Sequence, residues 1–408
     1  MNSNVNMIAN TARNLEEVHE MNLALVIKLL QKADICSRAE LSKASRLRQS
    51  TITNIVNELI DNGLVSETGS IEGNKGRRSI GITLNRDALK VIAIRLARTH
   101  FIVGRYNIGG VEDAVITEQI HPPDKPQDIL AHIGRLAGEL IAKSDRRIIG
   151  IGIALPGPLI RPEERIAMMT GTSGWERIDI RQFFASQFSV PIYLEHDAKA
   201  GALAEWWYGS GNLSQGTYVY LAAGEGIGVG LTCDGNILRG AQGAAGEIGH
   251  ISINYQGPQC ECGNRGCLEK YSSVLSMRKR IREGIGAGVE TTLKENCSIT
   301  DIAKAYRQKD AFALEVVQEA AEFLGIGLVS LVNMYNPDCI IIGDEMTCIG
   351  QPLIDIIIKS LRSRLLPVIF DRLEIRFSSF DQDPALIGAV ALTMDETMKK
   401  PSETLFLR

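Results

Sequence analysis

Three cysteines and one histidine are concentrated in a short stretch of the sequence, GEIGHISINYQGPQCECGNRGCLE at residues 246–269. Cys260, Cys262 and Cys267 lie within eight residues, and His250 precedes the first of them by ten. One imidazole and three thiolates form a closed tetrahedral set for structural zinc, whereas a catalytic zinc keeps one position open. The alternative is a loop of free thiols, which such dense spacing disfavours. The sequence therefore predicts a Zn²⁺ site at His250, Cys260, Cys262 and Cys267.

Carboxylates accompany this cluster. Glu247 and Glu269 bracket it, and Asp197 follows an apolar strand pattern at residues 192–194. Sugars carry many hydroxyl groups, and carboxylates together with an imidazole are side chains that pair with them. Ligand-binding residues of α/β folds often lie at strand ends, as Asp197 does. The alternative for Asp197 is that it only caps the helix that follows.

These motifs resemble the signature of the ROK family, named for repressors, open reading frames and kinases, and the similarity covers nearly the whole chain. In that family the cysteine-rich loop organises a sugar pocket. The loop TSGW at residues 172–175 resembles the family loop that closes over the sugar, and residues 155–157 match a family turn. His196 stands where ROK kinases have Asn, as in repressors that resemble the N-acetylglucosamine-responsive one. The resemblance implies an effector site at His196, Asp197, Glu247, His250, Glu269 and Gly174.

Three segments that bind the nucleotide in ROK kinases depart from the family pattern here. The first phosphate loop, Asp-x-Gly-Gly-Thr in the kinases, reads RLART at residues 95–99. Glu225 stands in the second phosphate loop where the kinases have Thr. In the adenosine-side segment, Asp344 and Glu345 follow the strand pattern at residues 340–342, where the kinases have glycines. Losing the first carboxylate removes a Mg²⁺ ligand, and a carboxylate facing phosphate repels it. We therefore expect that the chain is not an enzyme.

Two arginines occupy the first of these loops. Arg95 and Arg98 stand where ATP phosphates bind in the kinases, and guanidinium groups pair bidentately with phosphate. One hypothesis is that the pair holds the phosphate of a sugar phosphate. The alternative is a salt bridge to a nearby acid such as Glu225.

The N-terminal 80 residues have a different pattern. Apolar residues recur at helical spacing from Leu23, and Ser37 with Glu40 predicts a capping box that starts a second helix. A short turn precedes a third helix from about Gln49 to Asn62, which Gly63 ends, with Ile52, Ile55, Val56, Leu59 and Ile60 on its buried face. Two helices joined in this way make a helix-turn-helix, and the basic, Gly-rich segment after residue 65 predicts a wing.

The polar residues of the third helix and the wing have the chemistry of a DNA-reading surface. Arg suits guanine, Gln or Asn suits adenine, and Ser or Thr reach phosphates. A helical protein-interaction module with a basic face is the alternative. ROK repressors have a similar N-terminal winged helix, which ROK kinases lack. The predicted DNA contacts are Arg48, Gln49, Ser50, Thr51, Thr53, Asn54, Lys75, Arg77 and Arg78.

Length and composition agree with a cytoplasmic protein of more than one domain. The chain has 408 residues, a net charge of -4, no apolar run near the ~20 residues of a membrane span, and no signal-peptide pattern at its start. Strand patterns at residues 91–96, 148–154, 192–194, 218–221 and 339–342 alternate with helical ones, which indicates an α/β architecture. Two strand-then-loop starts about 130 residues apart suggest an internal duplication.

The predicted fold is thus α/β: a winged helix-turn-helix at residues 1–82, then a two-lobed, actin-like (ribonuclease-H-like) ROK domain at 83–408. The first lobe spans about 83–195 plus the C-terminal helix, and the second about 196–380. The resemblance implies a repressor of sugar uptake or catabolism genes, gated by a sugar or sugar phosphate. We expect it to bind a palindromic operator in double-stranded DNA as a homodimer or tetramer. Two alternatives stay open: control by a protein partner such as a sugar-transporter component, and a sugar kinase with an added DNA-binding domain.

Overall fold

The computed structural model describes residues 14–72, 78–121, 124–161, 163–169, 174–211, 213 and 215–406. The chain divides into two compact units. The first comprises Met1–Leu89 together with Met394–Arg408, and the second comprises Lys90–Thr393. Within the described residues, no helix is both long enough and apolar enough to cross a membrane.

The N-terminal part of the first unit contains three helices and a small antiparallel sheet. The helices are α1 (Leu15–Lys32), α2 (Arg38–Ser45) and α3 (Gln49–Asp61). The strands are β1 (Cys36–Ser37), β2 (Val65–Glu72) and β3 (Arg78–Leu84), in the order β1-β3-β2. Their core consists of Leu23, Val26, Ile27, Leu30, Leu41, Ile52, Ile55, Val56 and Leu59. Ile60, predicted on the buried face of α3, is only partly buried.

Local sequence signals set the ends of these helices. Ser37 caps α2 through the predicted box, because its side chain accepts from the Glu40 amide while the Glu40 carboxylate accepts from the Ser37 amide. Arg46 adopts a left-handed conformation, with φ of 59°, in the turn before α3. Gly63, with φ of 70°, follows α3 as predicted.

The second unit is built on two five-stranded sheets. The first sheet contains β4 (Lys90–Leu96), β5 (His100–Asn107), β6 (Glu112–Gln119), β7 (Ile148–Leu155) and β10 (Ile192–His196). The second contains β11 (Thr217–Ala223), β12 (Ile227–Cys233), β13 (Asn236–Ile237), β14 (Cys339–Gly343) and β15 (Glu374–Phe377). A short hairpin, β8 (Leu159–Ile160) with β9 (Arg165–Ile166), follows β7.

The two sheets have the same topology. The first has the order β10-β7-β4-β5-β6 and the second the order β13-β12-β11-β14-β15. Counted along the chain, the first strand of each sheet pairs antiparallel with the second strand and parallel with the fourth. The fifth strand pairs parallel with the fourth. Their first strands start at residues 90 and 217, which matches the duplication expected from the sequence.

Ten helices of the described chain begin in the second unit. They are α4 (Pro126–Ala142), α5 (Ile180–Ala185), α6 (Asp197–Tyr208), α7 (Glu269–Ser272), α8 (Val274–Gly286), α9 (Ile299–Arg307), α10 (Ala311–Tyr335), α11 (Gln351–Arg362), α12 (Pro367–Phe370) and α13 (Pro384–Thr397). Helix α4 packs on the first sheet, and α8 to α11 share a core with the second. Ser298 and Asp301 form the capping box predicted at the start of α9.

The C-terminal segment belongs to the first unit. Its short helix α14 (Pro401–Leu405) lies against α1, where the Ser402 amide donates to Glu20 Oε2 at 3.1 Å and the Ser402 hydroxyl donates to Glu20 Oε1. Lys28 Nζ on α1 lies 3.8 Å from Asp395 Oδ1. The two ends of the chain therefore fold together in one unit, an arrangement that no local pattern in the sequence indicates.

Candidate functional site

A cleft of about 410 Å³ opens in the second unit. Its lining includes residues in the last two positions of five parallel strands: Arg95 of β4, His196 of β10, Ala222 of β11, Gly343 of β14 and Phe377 of β15. Ligands of open α/β sheets bind at this edge of the strands. The topology of the unit therefore places polar side chains from both sheets around one cavity.

Five of the six predicted effector residues line this cleft: His196, Asp197, Glu247, His250 and Glu269. Gly174, the sixth, is not among its described lining residues. Gly174 has a φ of 97° and precedes a 3-10 turn at Trp175–Arg177. This turn buries Trp175 in the core beside the first sheet, and the Gly174 amide donates to Glu176 Oε2 at 2.9 Å. Thr172 and Ser173 of the predicted closing loop lie outside the described residues.

Asp197 is held by three neighbours. Its Oδ2 lies 3.1 Å from Arg95 Nη2, and its Oδ1 lies 3.1 Å from His196 Nε2 and accepts from the Ala198 amide at 2.7 Å. Burial alone would raise the pKa of Asp197, but the charge of Arg95, helped by His196 and the Ala198 amide, holds the pKa below its usual value. Asp197 is thus an ionised acceptor at the start of α6, and His196 directs one ring nitrogen toward it.

Carboxylates engage the Arg95 guanidinium. Besides Asp197, its Nε lies 3.5 Å from Asp383 Oδ2, and its Nη1 donates to the Leu96 carbonyl at 2.9 Å. Burial would lower the pKa of Arg95, but Asp197 and Asp383 raise it above the usual value. Because two carboxylates engage Arg95, it is less available to a phosphate, and the hypothesis that Arg95 and Arg98 together hold one stays a prediction. Glu225, the acid named as its alternative partner, lies 3.6 Å from Arg278 instead.

Arg98 has a different environment. It lines the cleft, and its Nη1 is buried without a hydrogen-bond partner. Its Nη2 and Glu269 Oε2 both lie within 3 Å of the point where a side chain on Gly226 would begin, so a larger residue there would have to displace one of these side chains. Arg98 is therefore able to offer an N–H group to a ligand. Arg95 is less available, because Asp197 and Asp383 already engage it.

The cleft is acidic beyond the predicted effector residues. Its other carboxylates are Glu225, Asp344, Glu345, Asp381 and Asp383, of which Glu225, Asp344 and Glu345 lie in the segments that resemble the nucleotide-binding segments of ROK kinases. Burial raises the pKa of Asp344 to about 7, against the opposing charge of Arg95 and with help from Asp383. Burial and then Glu225 raise the pKa of Glu345. A polyphosphate placed here would meet several carboxylates, so the charge of the cleft disfavours nucleotide binding.

Glu247 and Glu269 supply further acceptors. Glu269 is 7% exposed, and its Oε2 accepts from the Ile227 amide at 3.0 Å. Glu247 Oε1 is buried without a hydrogen-bond partner. An unsatisfied buried carboxylate oxygen costs free energy that a ligand hydroxyl would recover. The pair is suited to bind hydroxyl groups.

Sequence reasoning missed the side chains that hold the segment leading to Glu247. Lys199 on α6 is fully buried, and its Nζ donates to the Gly243 carbonyl at 2.8 Å. Glu195, which is 1% exposed, accepts from Arg239 Nε at 2.7 Å. These contacts tie residues 239–243 to the first sheet. The sequence contained Glu195 beside Asp197, but no local pattern marked Lys199 as buried.

The predicted zinc ligands are brought together. The ligand atoms of His250, Cys260, Cys262 and Cys267 all lie within 4.8 Å of one another. Cys260 Sγ is 3.8 Å from His250 Nδ1, and the sulfur atoms of Cys262 and Cys267 are 3.6 Å apart. Tetrahedral zinc with bonds of about 2.3 Å separates its ligands by about 3.8 Å. The spacing and the donor set therefore both fit zinc.

The predicted DNA-contacting residues at the start of α3 are all at least partly exposed. Arg48, Gln49, Ser50 and Asn54 are exposed, and Thr51 and Thr53 are partly exposed. Nearby, Arg38 bonds Glu67 Oε1 at 3.0 Å and Asn57 Oδ1 at 3.3 Å. Lys75 and Arg77 lie outside the described residues. Arg78 begins β3, but its side chain is not described.

Comparison with known proteins decides the family. The ROK family model matches residues 91–396. The chain belongs to the ROK family. It is 30% identical over 395 residues to the xylose repressor of Caldicellulosiruptor bescii, covering 94% of this chain and 97% of the relative. It is 28% identical over 385 residues to the dual regulator NagC of Escherichia coli, covering 93% of each chain.

Solved structures agree with this ROK assignment. A ROK transcriptional regulator described as a homologue of the E. coli Mlc protein has a TM-score of 0.81 at 29% identity, covering 95% of this chain and 99% of that one. The predicted resemblance to regulators of the NagC and Mlc kind is thereby confirmed. A ROK glucokinase from Streptomyces griseus has a TM-score of 0.65 at 22% identity and covers 74% of this chain. That likeness concerns the fold alone.

Proposed function

We propose that this ROK protein is a transcriptional repressor of sugar uptake or catabolism genes and that a sugar bound in the cleft releases it from DNA. One observation carries the proposal. The cleft retains the carboxylates that suit a sugar, whereas acids occupy the part that corresponds to the nucleotide site. The N-terminal part of the same chain has three helices followed by a β-hairpin, and this element order supports a winged helix-turn-helix. A sugar site without a phosphate site, joined to a DNA-reading unit, is suited to sensing and not to phosphorylation.

The DNA-binding part of the proposal rests on α2, the turn at Arg46 and α3. The exposed residues at the start of α3 have hydrogen-bonding groups that read base edges, and Arg48 is suited to guanine or phosphate. The β2–β3 hairpin is in the position of a wing, whose predicted contacts are Lys75, Arg77 and Arg78. Binding to a palindromic operator would require a homodimer or tetramer. The domain boundary at residues 82 and 83 remains part of the proposal.

The effector we propose is a neutral sugar. Eight carboxylates and two arginines line the described cleft, and one of those arginines is engaged by Asp197 and Asp383. A sugar phosphate would have only Arg98 to offset this acidity. Relatives named for xylose and N-acetylglucosamine make D-xylose and N-acetylglucosamine the first candidates to test. The proposed contacts are His196, Asp197, Glu247, His250 and Glu269.

The proposed cofactor is a structural zinc ion. His250, Cys260, Cys262 and Cys267 would hold it, and the Cys260 thiol approaches Nδ1 of His250, which leaves Nε2 for a sugar hydroxyl. The ion would fix the loop between Glu247 and Glu269 and so orient the imidazole. We expect the protein to have no kinase activity and to work in the cytoplasm.

A thermal-shift panel tests the ligand part of the proposal. The zinc-loaded protein would be melted with D-xylose, D-glucose, N-acetylglucosamine, their phosphates, and ATP with Mg²⁺. The proposal expects a rise in melting temperature with one neutral sugar and none with ATP. A rise with ATP, together with phosphorylation of the sugar, would instead identify a kinase. A flat panel with release from DNA by a transporter component would favour control by a protein partner.

A further inference from the structure

Arg95 is held between two carboxylates that begin two different helices. Its contact with Asp197 is a hydrogen-bonded ion pair at 3.1 Å, and its contact with Asp383 is a looser one at 3.5 Å, where the buried Nε makes no hydrogen bond. The Arg95 side chain is 7% exposed. A buried guanidinium stays charged and must keep a carboxylate partner. Arg95 therefore has two available partners in the cleft, and it favours the one that we assign to the sugar.

A sugar would compete for the favoured partner. Asp197 Oδ1 already accepts from the Ala198 amide and contacts His196, so a sugar hydroxyl that donates to Asp197 meets Arg95 at Oδ2. An oxygen that is shared between two donors bonds each of them less well. If Arg95 moves away from Asp197, the carboxylate of Asp383 is available to it, because the two side chains are already in contact.

Asp383 controls the start of α13. Its Oδ1 accepts from the amides of Ala385 and Leu386 at 2.8 and 3.1 Å. The helix then packs tightly. A Cβ on Gly388 would lie 2.0 Å from the Ala200 carbonyl oxygen of α6, and a Cβ on Gly152 of β7 would lie 1.9 Å from the Ala389 carbonyl oxygen. A close-packed helix transmits a displacement at its end instead of absorbing it.

The chain carries α13 onward into the first unit. The helix is continuous from Pro384 to Thr397, and residues from Met394 belong to the unit that contains α1 to α3. The following helix α14 is bonded to α1 through Ser402 and Glu20. The covalent path from Asp383 thus ends on the helical unit that carries the predicted DNA contacts.

We propose that Arg95 is a positioning residue that couples the cleft to DNA binding by exchanging Asp197 for Asp383 when a sugar enters. This inference rests on the proposed function. Without sugar, Arg95 forms its hydrogen-bonded ion pair with Asp197. With sugar, it forms that ion pair with Asp383. The sugar favours the second arrangement because it takes the place of Arg95 on Asp197, which is the difference in affinity that coupling requires.

The test is a thermodynamic cycle on the full-length, zinc-loaded protein. A labelled duplex, selected by the protein from a random pool, is titrated with protein by fluorescence anisotropy, with and without saturating D-xylose or the sugar that raises the melting temperature. The variants are Asp383→Asn and Arg95→Met. Asn keeps the acceptor that caps α13 and removes only the charge. The matched control is Arg105→Met, since Arg105 is a partly buried arginine of the same sheet that pairs with Asp113 and does not line the described cleft.

In the wild type and in Arg105→Met, sugar is expected to weaken duplex binding by about 10-fold or more. In Asp383→Asn the sugar and the duplex still bind, but the ratio of the two duplex affinities falls below about 2-fold. Arg95→Met is expected to behave in the same way. An unchanged ratio in Asp383→Asn would overturn the coupling role and leave the proposed function intact. Absence of any sugar effect in the wild type would overturn both.

Discussion

At the scale of single residues, the cleft pairs a buried guanidinium with a carboxylate of the predicted effector set. Where the kinases have a carboxylate in the first phosphate loop, this chain has Arg95, which neutralises Asp197 from 3.1 Å. Asp197 corresponds to the base of the kinases by resemblance. A carboxylate whose pKa is held low by a guanidinium is a poor proton acceptor. The same residue remains a good hydrogen-bond acceptor for a sugar hydroxyl, which suits binding without chemistry.

Asp344 supplies a prediction about pH. Its folded pKa of about 7 lies above the ordinary aspartate value, so the folded state holds this proton more tightly than the unfolded state does. This proton therefore stabilises the folded state fully at pH values below the ordinary aspartate pKa. That stabilisation is lost as the pH rises toward 7. Asp344→Asn should therefore raise the free energy of unfolding at pH 8, by at most about 4 kcal/mol, and leave it nearly unchanged at pH 4.

Denaturant unfolding at the two pH values measures this effect. Asn keeps the acceptor that Asp344 Oδ1 offers to the Glu345 amide, so the change removes charge more than structure. Asp145→Asn is the control, because that carboxylate is 77% exposed. Equal stabilisation at pH 4 and pH 8 would contradict the electrostatic explanation.

The metal cluster supplies a second prediction at this scale. Cys262 is exposed, so Cys262→Ser removes a proposed zinc ligand with little loss of packing. We expect the purified variant to lose stoichiometric zinc and to melt at a lower temperature, because structural zinc contributes directly to folding. Cys233→Ser, at another exposed cysteine, should retain both properties. Full zinc occupancy in Cys262→Ser, measured by elemental analysis, would count against a four-ligand site.

At the scale of elements, the parts that the sequence predicted were those with local signals. The capping boxes at Ser37 and Ser298 and the five strand patterns depend on residues a few positions apart, and the structure confirms them. The cysteine cluster was also readable because its spacing is short. By contrast, the partners of Arg95 are about 100 and 290 residues away in the chain, so only the fold reveals them. Gly174 was assigned by resemblance, and a local turn places it elsewhere.

Helix α3 supplies the prediction for DNA recognition. Asn54 is exposed on the polar face of α3, and an amide side chain pairs with adenine in the major groove. Asn54→Ala should weaken binding to the selected duplex by about 1–3 kcal/mol and leave binding to a random duplex nearly unchanged. Anisotropy titrations at one fixed salt concentration provide both values. Equal losses on the two duplexes would show that Asn54 contacts the backbone or does not contact DNA.

At the scale of the whole molecule, the chain returns to its first unit after completing the second. Residues from Met394 group with α1 to α3, and α14 is bonded to α1 through Ser402 and Glu20. The first unit is thus completed by the segment that follows the second unit in the chain. Sequence patterns give no indication of this, because the contact joins positions about 380 residues apart.

Removal of the last eight residues tests the importance of that segment. A chain that ends at Lys400 lacks α14 and the two bonds from Ser402 to Glu20. We expect weaker binding to the selected duplex, with unchanged sugar affinity by calorimetry and unchanged zinc content. The contrast with Glu20→Gln, which keeps the helix and weakens its bonds, separates loss of the segment from loss of one contact. Full DNA affinity in the truncated chain would show that α14 is dispensable.

The central claim is that one chain binds DNA and a neutral sugar and that each weakens the other. The most direct measurement is the affinity of the zinc-loaded wild-type protein for its selected duplex, by anisotropy, with increasing D-xylose, N-acetylglucosamine or glucose, and separately with ATP and Mg²⁺. We predict that one neutral sugar weakens duplex binding by about 10-fold or more and that ATP has no effect. Duplex affinity that no sugar alters, or sugar phosphorylation on adding ATP, would contradict the account.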